Sequence, residues 1–235
     1  AATDRGGNGG WLSMQLLLDS ALPVGSFAHS FGLESLVQDG KLGTGELLRE
    51  YIEAMLFHSW ATGDLMVVKA VYGNGERDEE GRLDYRVEKM VHLQRIAPES
   101  RDGMEKIGRR LLKLAPDLFP SGELNRLRED VRLGRCLGTY PLVYGTVCKG
   151  LGIPLDRAAE GYLYASASTC VNAGLRLISM GQTEAQRLTA SLFPSISAAW
   201  EAVREMDPEE AYGAMPLADL AMIRHETLYS RLFMS

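Results

Sequence analysis

Apolar residues return at three- and four-residue intervals along almost the whole chain from Trp11 onward, the period of one face of an α-helix. After Thr44, the residues Leu47, Leu48, Tyr51, Ile52, Met55 and Leu56 keep this spacing, which predicts a strong amphipathic helix capped by the Thr44 hydroxyl. A second helix is expected from about Asp64 to Tyr72, and then an exposed loop through Gly73-Asn74-Gly75 and the charged run Glu76 to Asp84. Further helices are expected at Tyr85 to Ala97, Ser100 to Leu114 and Gly122 to Leu133, punctuated by Pro98, Pro116 and Pro120. Leu163 to Ser168 alternates as a strand would, but it lies inside a longer helical pattern opened by Pro154 at a first-turn position, so it too reads as helix.

The segment Pro154 to Ser179 is rich in small residues, among them Ala158, Ala159, Gly161, Ala165, Ala167, Ala173 and Gly174. Small side chains let neighbouring helices approach closely, which predicts a central helix contacted on nearly all sides. Gly181-Gln182-Thr183 opens another helix that ends before Pro194, shorter pieces run to Met206, and Asp207-Pro208 breaks the chain again. The whole reads as an all-α, single-domain helical bundle over 11–235, wrapped around a central small-residue-rich helix. Residues 1–10, with no initiator Met and almost nothing to bury, read as a flexible linker or an expression scar.

Composition narrows the function. With 46% hydrophobic and 24% charged residues over 235 positions, the chain is an ordinary globular sequence long enough for one substantial core. A formal charge of -6 gives no attractive field for a polyphosphate, which argues against nucleic acid. No apolar run reaches the roughly 18 residues that a membrane span requires. Cys136, Cys148 and Cys170 are an odd set with no Cys-x-x-Cys pair, which argues against a disulfide framework and a thiolate metal site and fits the cytoplasm.

Two segments carry side chains that packing alone does not demand. In Leu22 to Glu34, Pro23 suits the first central position of a type I turn and Gly25 its end, Ser26 can cap a helix beginning at about Phe27, and Asp39-Gly40 stops it. On such a helix Phe27, Ser30, Phe31 and Glu34 share one face, while His29, Leu33, Leu36 and Val37 lie toward another. The last twenty residues keep large apolar and charged groups to the end, with Leu228, Tyr229, Leu232, Phe233 and Met234 too costly to leave bare on a monomer. This tail either docks on its own body or waits for a partner.

Chemistry is weakly signalled. Ser26 beside His29 admits a small hydrolase as an alternative, but no Gly-x-Ser-x-Gly elbow or orienting acid accompanies them. His29, His58, His92 and His225 are scattered without a metal-ligand spacing, so no metal site, cofactor or catalytic residue is expected. His29 and His225 could meet in space or across an interface and attract a borderline ion such as nickel weakly. His58 near the end of the Thr44 helix, and His92 in a polar helix, read as structural or surface residues.

Three blocks in order, Leu22-Pro-Val-Gly-Ser-Phe-Ala-His-Ser-Phe-Gly-Leu-Glu34, Tyr140-Pro-Leu-Val-Tyr-Gly145 with Gly181-Gln-Thr183, and Arg224-His-Glu-Thr-Leu-Tyr-Ser-Arg-Leu-Phe-Met-Ser235, resemble the urease accessory protein UreF family. The resemblance covers nearly the whole chain after Trp11 and implies an all-helical scaffold rather than an enzyme. It further implies a homodimer that binds the accessory protein UreD or UreH and recruits the GTPase UreG for nickel insertion into apo-urease. Arg231 and Phe27 carry over as interface residues, Phe27 standing where some relatives have Tyr. Together with the residue reading, this nominates Phe27, His29, Ser30, Phe31, Glu34, His225, Glu226, Tyr229, Arg231, Leu232 and Phe233 as forming or supporting a composite docking surface. A trans-acting activator of the GTPase, supplying an Arg, is a second expectation.

Overall fold

The computed structural model describes residues 9–25, 29–73 and 84–233, and the secondary structure of these residues is helical without a strand. The order is α1 (Gly9–Leu18), α2 (Leu33–Gln38), α3 (Gly45–Met55), α4 (Leu65–Tyr72), α5 (Arg86–Gln94), α6 (Pro98–Leu118), α7 (Gly122–Arg132), α8 (Tyr140–Gly150), α9 (Leu155–Leu177), α10 (Gln182–Ser191), α11 (Phe193–Val203), a 3₁₀ turn (Pro208–Glu210) and α12 (Pro216–His225). The all-α single-domain expectation holds. Most of the expected linker at 1–10 and most of the loop after Gly73 lie outside the described residues.

Local signals place most helix ends. Thr44 Oγ1 accepts a hydrogen bond from the Leu47 amide at 3.3 Å, and Ser121 Oγ accepts one from the Glu123 amide at 3.2 Å. α6 starts earlier than its apolar pattern, because Pro98 is tolerated in the first turn, and it runs past Pro116 into its last turn.

One expectation is corrected by the wide turns between α3 and α4. The two do not form separate helices: Leu56–Asp64 continues the rod as a π-helical stretch that joins them. In a π turn the amide reaches one residue further back than in an α turn. The chain segment before α12 lies along this stretch, with Tyr212 N–H donating to Thr62 O at 2.9 Å and Ala214 N–H to His58 O at 2.8 Å. His58 therefore sits mid-rod and exposed, not at a helix terminus.

α9 is central as expected, meeting α1, α2, α3, α4, α8, α10 and α11, with only Arg157, Asn172 and Arg176 exposed along it. Its glycines set the spacing: a Cβ on Gly174 would overlap the Leu48 side chain, and one on Gly161 would lie 2.8 Å from the Tyr144 hydroxyl. α8 is more enclosed still, with every residue from Pro141 to Cys148 buried between α4, α6 and α9. Gly145 permits this closeness, since a Cβ there would stand 3.3 Å from the Val68 backbone. Tyr140, Tyr144 and Tyr162 pack ring to ring beneath it, with centroids 5.4 to 5.9 Å apart.

Candidate functional site

The first block folds differently from the expected helix. The chain turns at Pro23 and Val24, as Pro23 leads one to expect, and Val24 N–H donates to Leu22 O at 2.7 Å inside that turn. Gly25 takes φ 81° where the chain leaves that turn. Phe31 and Gly32 then take φ 54° and 82°, and two successive left-handed residues are incompatible with an α-helix through them. α2 therefore starts at Leu33, so Ser30, Phe31 and Glu34 do not share a helical face, and His29 is on no helix with Leu36 and Val37. Ser26 and Phe27 lie outside the described residues.

Phe31 is a non-glycine residue in a costly conformation, and its neighbours hold it there. The Tyr51 hydroxyl donates to Phe31 O, and the Phe31 ring meets Trp60 edge-on at 5.3 Å. Burial pushes the Tyr51 phenol well above its usual range, so it remains a donor. His29 packs against Gly103 of α6, where a Cβ would overlap the imidazole. Burial, then the charges of Arg110, Lys106 and Arg95, lower its pKa to about 4, which keeps the ring neutral at pH 7.

The second block returns to the first. α12 packs on α2 and α6, and fully buried His225 at its end meets Glu34 Oε2 at 3.0 Å through Nε2 and Glu99 Oε2 at 2.9 Å through Nδ1. Glu34, itself 1% exposed, accepts hydrogen bonds from the amides of Leu232 at 2.7 Å and Phe233 at 3.1 Å. Arg231 donates to the other oxygen of Glu99 at 2.6 Å, Arg224 to Asp39 at 2.6 Å, and Gln38 to the Ser230 carbonyl at 3.2 Å. Phe233 is buried, with the Arg176 guanidinium 5.8 Å from its ring centroid.

The tail thus docks on its own body at its root and its end. Between these points Glu226, Tyr229, Arg231 and Leu232 stay exposed, Tyr229 completely and Leu232 at 72%. Of the nominated residues, Glu34, His225, Arg231, Leu232 and Phe233 converge through hydrogen bonds and packing. His29, Ser30, Glu34, His225 and Phe233 are buried in the isolated chain, where they underlie the exposed residues of the tail rather than join them at the surface. His29 and His225 meet α6 one turn apart, at Gly103 and Glu99, and no group of three or more His, Cys, Asp or Glu that could hold a metal occurs among the described residues.

Glu99 was missed by sequence reasoning, as was the charged pair beside this cluster. A cavity of about 100 Å³ between the π stretch, α6, α9 and α12 is lined by His29, Trp60, Asp64, Arg95, Tyr162 and Met222. Inside it Asp64 and Arg95 form a buried ion pair, and the Tyr162 hydroxyl donates to Asp64 at 3.1 Å. Glu99 offered one signal, an acidic residue in the first helical turn after Pro98, where the helix dipole favours it.

The UreF family model matches residues 43–193. The chain is 31% identical over 224 residues to the urease accessory protein UreF of Paenarthrobacter aurescens (strain TC1), covering 95% of this chain and 97% of that one. It is 29% identical over 224 residues to the UreF of Lachnoclostridium phytofermentans, covering 95% and 98%. It is 33% identical over 218 residues to that of Rhodopseudomonas palustris (strain TIE-1), covering 93% and 89%.

An all-helical body and these matches define a urease accessory protein, a non-enzymatic class, and the hydrolase alternative at Ser26 and His29 falls with that assignment. The chain belongs to the UreF family. No helix among the described residues is long and apolar enough to cross a membrane.

Proposed function

We propose that this chain is a cytoplasmic adaptor of urease maturation: it dimerises, binds UreD or UreH, and with it recruits the GTPase UreG for nickel insertion into apo-urease. The observation that carries the reading is the division of labour in the tail. Glu34, His225 and Phe233 clamp it from below, and Tyr229 and Leu232 are thereby held out in solvent at 107% and 72% exposure. Held aromatic and aliphatic side chains lose little entropy on docking, and such residues favour interface centres. The exposed edge of α12, with Leu217, Leu220 and Ile223 at 50%, 58% and 37%, extends the same apolar surface. Phe27 remains a proposed interface residue from the sequence.

A trans-acting effect on GTP hydrolysis would need a guanidinium offered to the GTPase. Arg231 is bonded to Glu99, so docking is the favoured reading. The test is complementation of cells lacking their own UreF, paired with size-exclusion of the purified three-component complex. Wild-type chain restores urease activity and co-elutes with UreD or UreH and UreG. Tyr229→Ala combined with Leu232→Asp keeps its helical spectrum and loses co-elution; normal co-elution by that variant overturns the assignment of the tail.

A further inference from the structure

Both ring nitrogens of buried His225 face carboxylate oxygens, Nε2 to Glu34 at 3.0 Å and Nδ1 to Glu99 at 2.9 Å. A neutral imidazole has one N–H and one lone pair. It could donate to only one of these carboxylates and would turn its lone pair on the other at hydrogen-bond distance. Both contacts are satisfied together only when the cluster carries one proton more than a neutral ring between two ionised carboxylates.

The surrounding charges lead to the same conclusion. From α2 comes Glu34, and beyond it Asp39, which is already paired with Arg224 of α12. From α6 comes Glu99, whose second oxygen takes Arg231 of the tail. From α9 comes Arg176, which lies over the Phe233 ring. His29, one turn along α6 at Gly103, is neutral at pH 7 and adds no charge. Arg231 balances one of the two carboxylates bonded to the imidazole, and among the described residues the other is balanced only by a charged ring. Without the extra proton the cluster holds an uncompensated buried negative charge, which is costly in a low-dielectric interior.

The same carboxylates bind the tail, Glu34 through the Leu232 and Phe233 amides and Glu99 through Arg231. We infer that the His225–Glu34–Glu99 cluster is a proton-operated latch, which docks the C-terminal tail while it holds its extra proton and releases it on losing that proton. Docking takes up one proton, so the tail is held at lower pH and freed as pH rises. That the latch governs presentation of Tyr229 to a partner rests on the docking reading above; the latch itself does not.

The test uses the isolated full chain labelled with 4-fluorophenylalanine. Its six phenylalanines give separable fluorine signals, and Phe233→Leu assigns the relevant one. The expected result is a Phe233 signal that moves from a buried to a solvent-exposed position as pH is raised, the docked-to-released ratio falling about tenfold per pH unit beyond the midpoint. In Glu99→Gln the amide oxygen still accepts from Arg231 while its N–H donates to the imidazole lone pair, so a neutral ring is satisfied. That variant should stay docked at the alkaline end. A flat wild-type titration overturns the latch, as does an unchanged transition in Glu99→Gln. No partner is present, so a flat titration leaves the docking proposal standing, and failed co-elution does the reverse.

Discussion

The carboxylate of Glu34 accepts the backbone N–H of Leu232 at 2.7 Å, across 198 positions of sequence. A buried acid at the second residue of a short helix is thus satisfied by the far end of the chain, and the two terminal regions become one unit. Glu34→Ala removes the acceptor for two tail amides and the partner of His225. Loss of a buried charged partner costs about 3 kcal/mol, so trypsin cleavage after Arg231 should quicken about a hundredfold in limited-proteolysis time courses, with the rest of the fold intact.

Tyr51 anchors the left-handed turn at Phe31. Tyr51→Phe keeps the ring and deletes the hydroxyl, leaving the Phe31 carbonyl without its donor. The expected cost is about 1–3 kcal/mol in urea unfolding.

Close backbone approach at Gly108 allows no side chain. A Cβ there would overlap the Gly138 carbonyl oxygen and stand 2.6 Å from the Tyr140 amide nitrogen, and neither can rotate away. Gly108→Ala should therefore destabilise by about 3 kcal/mol or more, despite alanine's better helix propensity. Gly122→Ala meets nothing within 4 Å and should be neutral or slightly stabilising, which makes it the control in the same melts.

His29 makes stability depend on pH. Its folded pKa is lowered to about 4, below that of the unfolded chain, so the native state holds fewer protons through the window between. Its contribution is fully present above about pH 6.5 and drains away as pH falls toward 4, by roughly 3 kcal/mol in all. Urea unfolding at several pH values should show a steeper acid loss in the wild type than in His29→Gln. Equal slopes would remove His29 as the cause.

Helical periodicity, with Thr44 and Pro154 as start signals, located most helices, because caps and amphipathic faces are local properties written at three- and four-residue spacing. The small residues of Pro154 to Ser179 likewise foretold a central helix, since only glycine and alanine admit the contacts that α9 makes with Leu48 and Tyr144. Tertiary structure alone decided the rest. The π stretch from Leu56 to Asp64 takes amides from a segment 150 or so residues later on its Thr62 and His58 carbonyls, bonds no local window contains. Phe31 leaves the helical region because Tyr51 and Trp60 hold it there, against its own preference. Sequence marked Glu34, His225 and Arg231 as unusual; long-range packing on α6 added Glu99 and determined which tail side chains were buried and which, like Tyr229, were left in water.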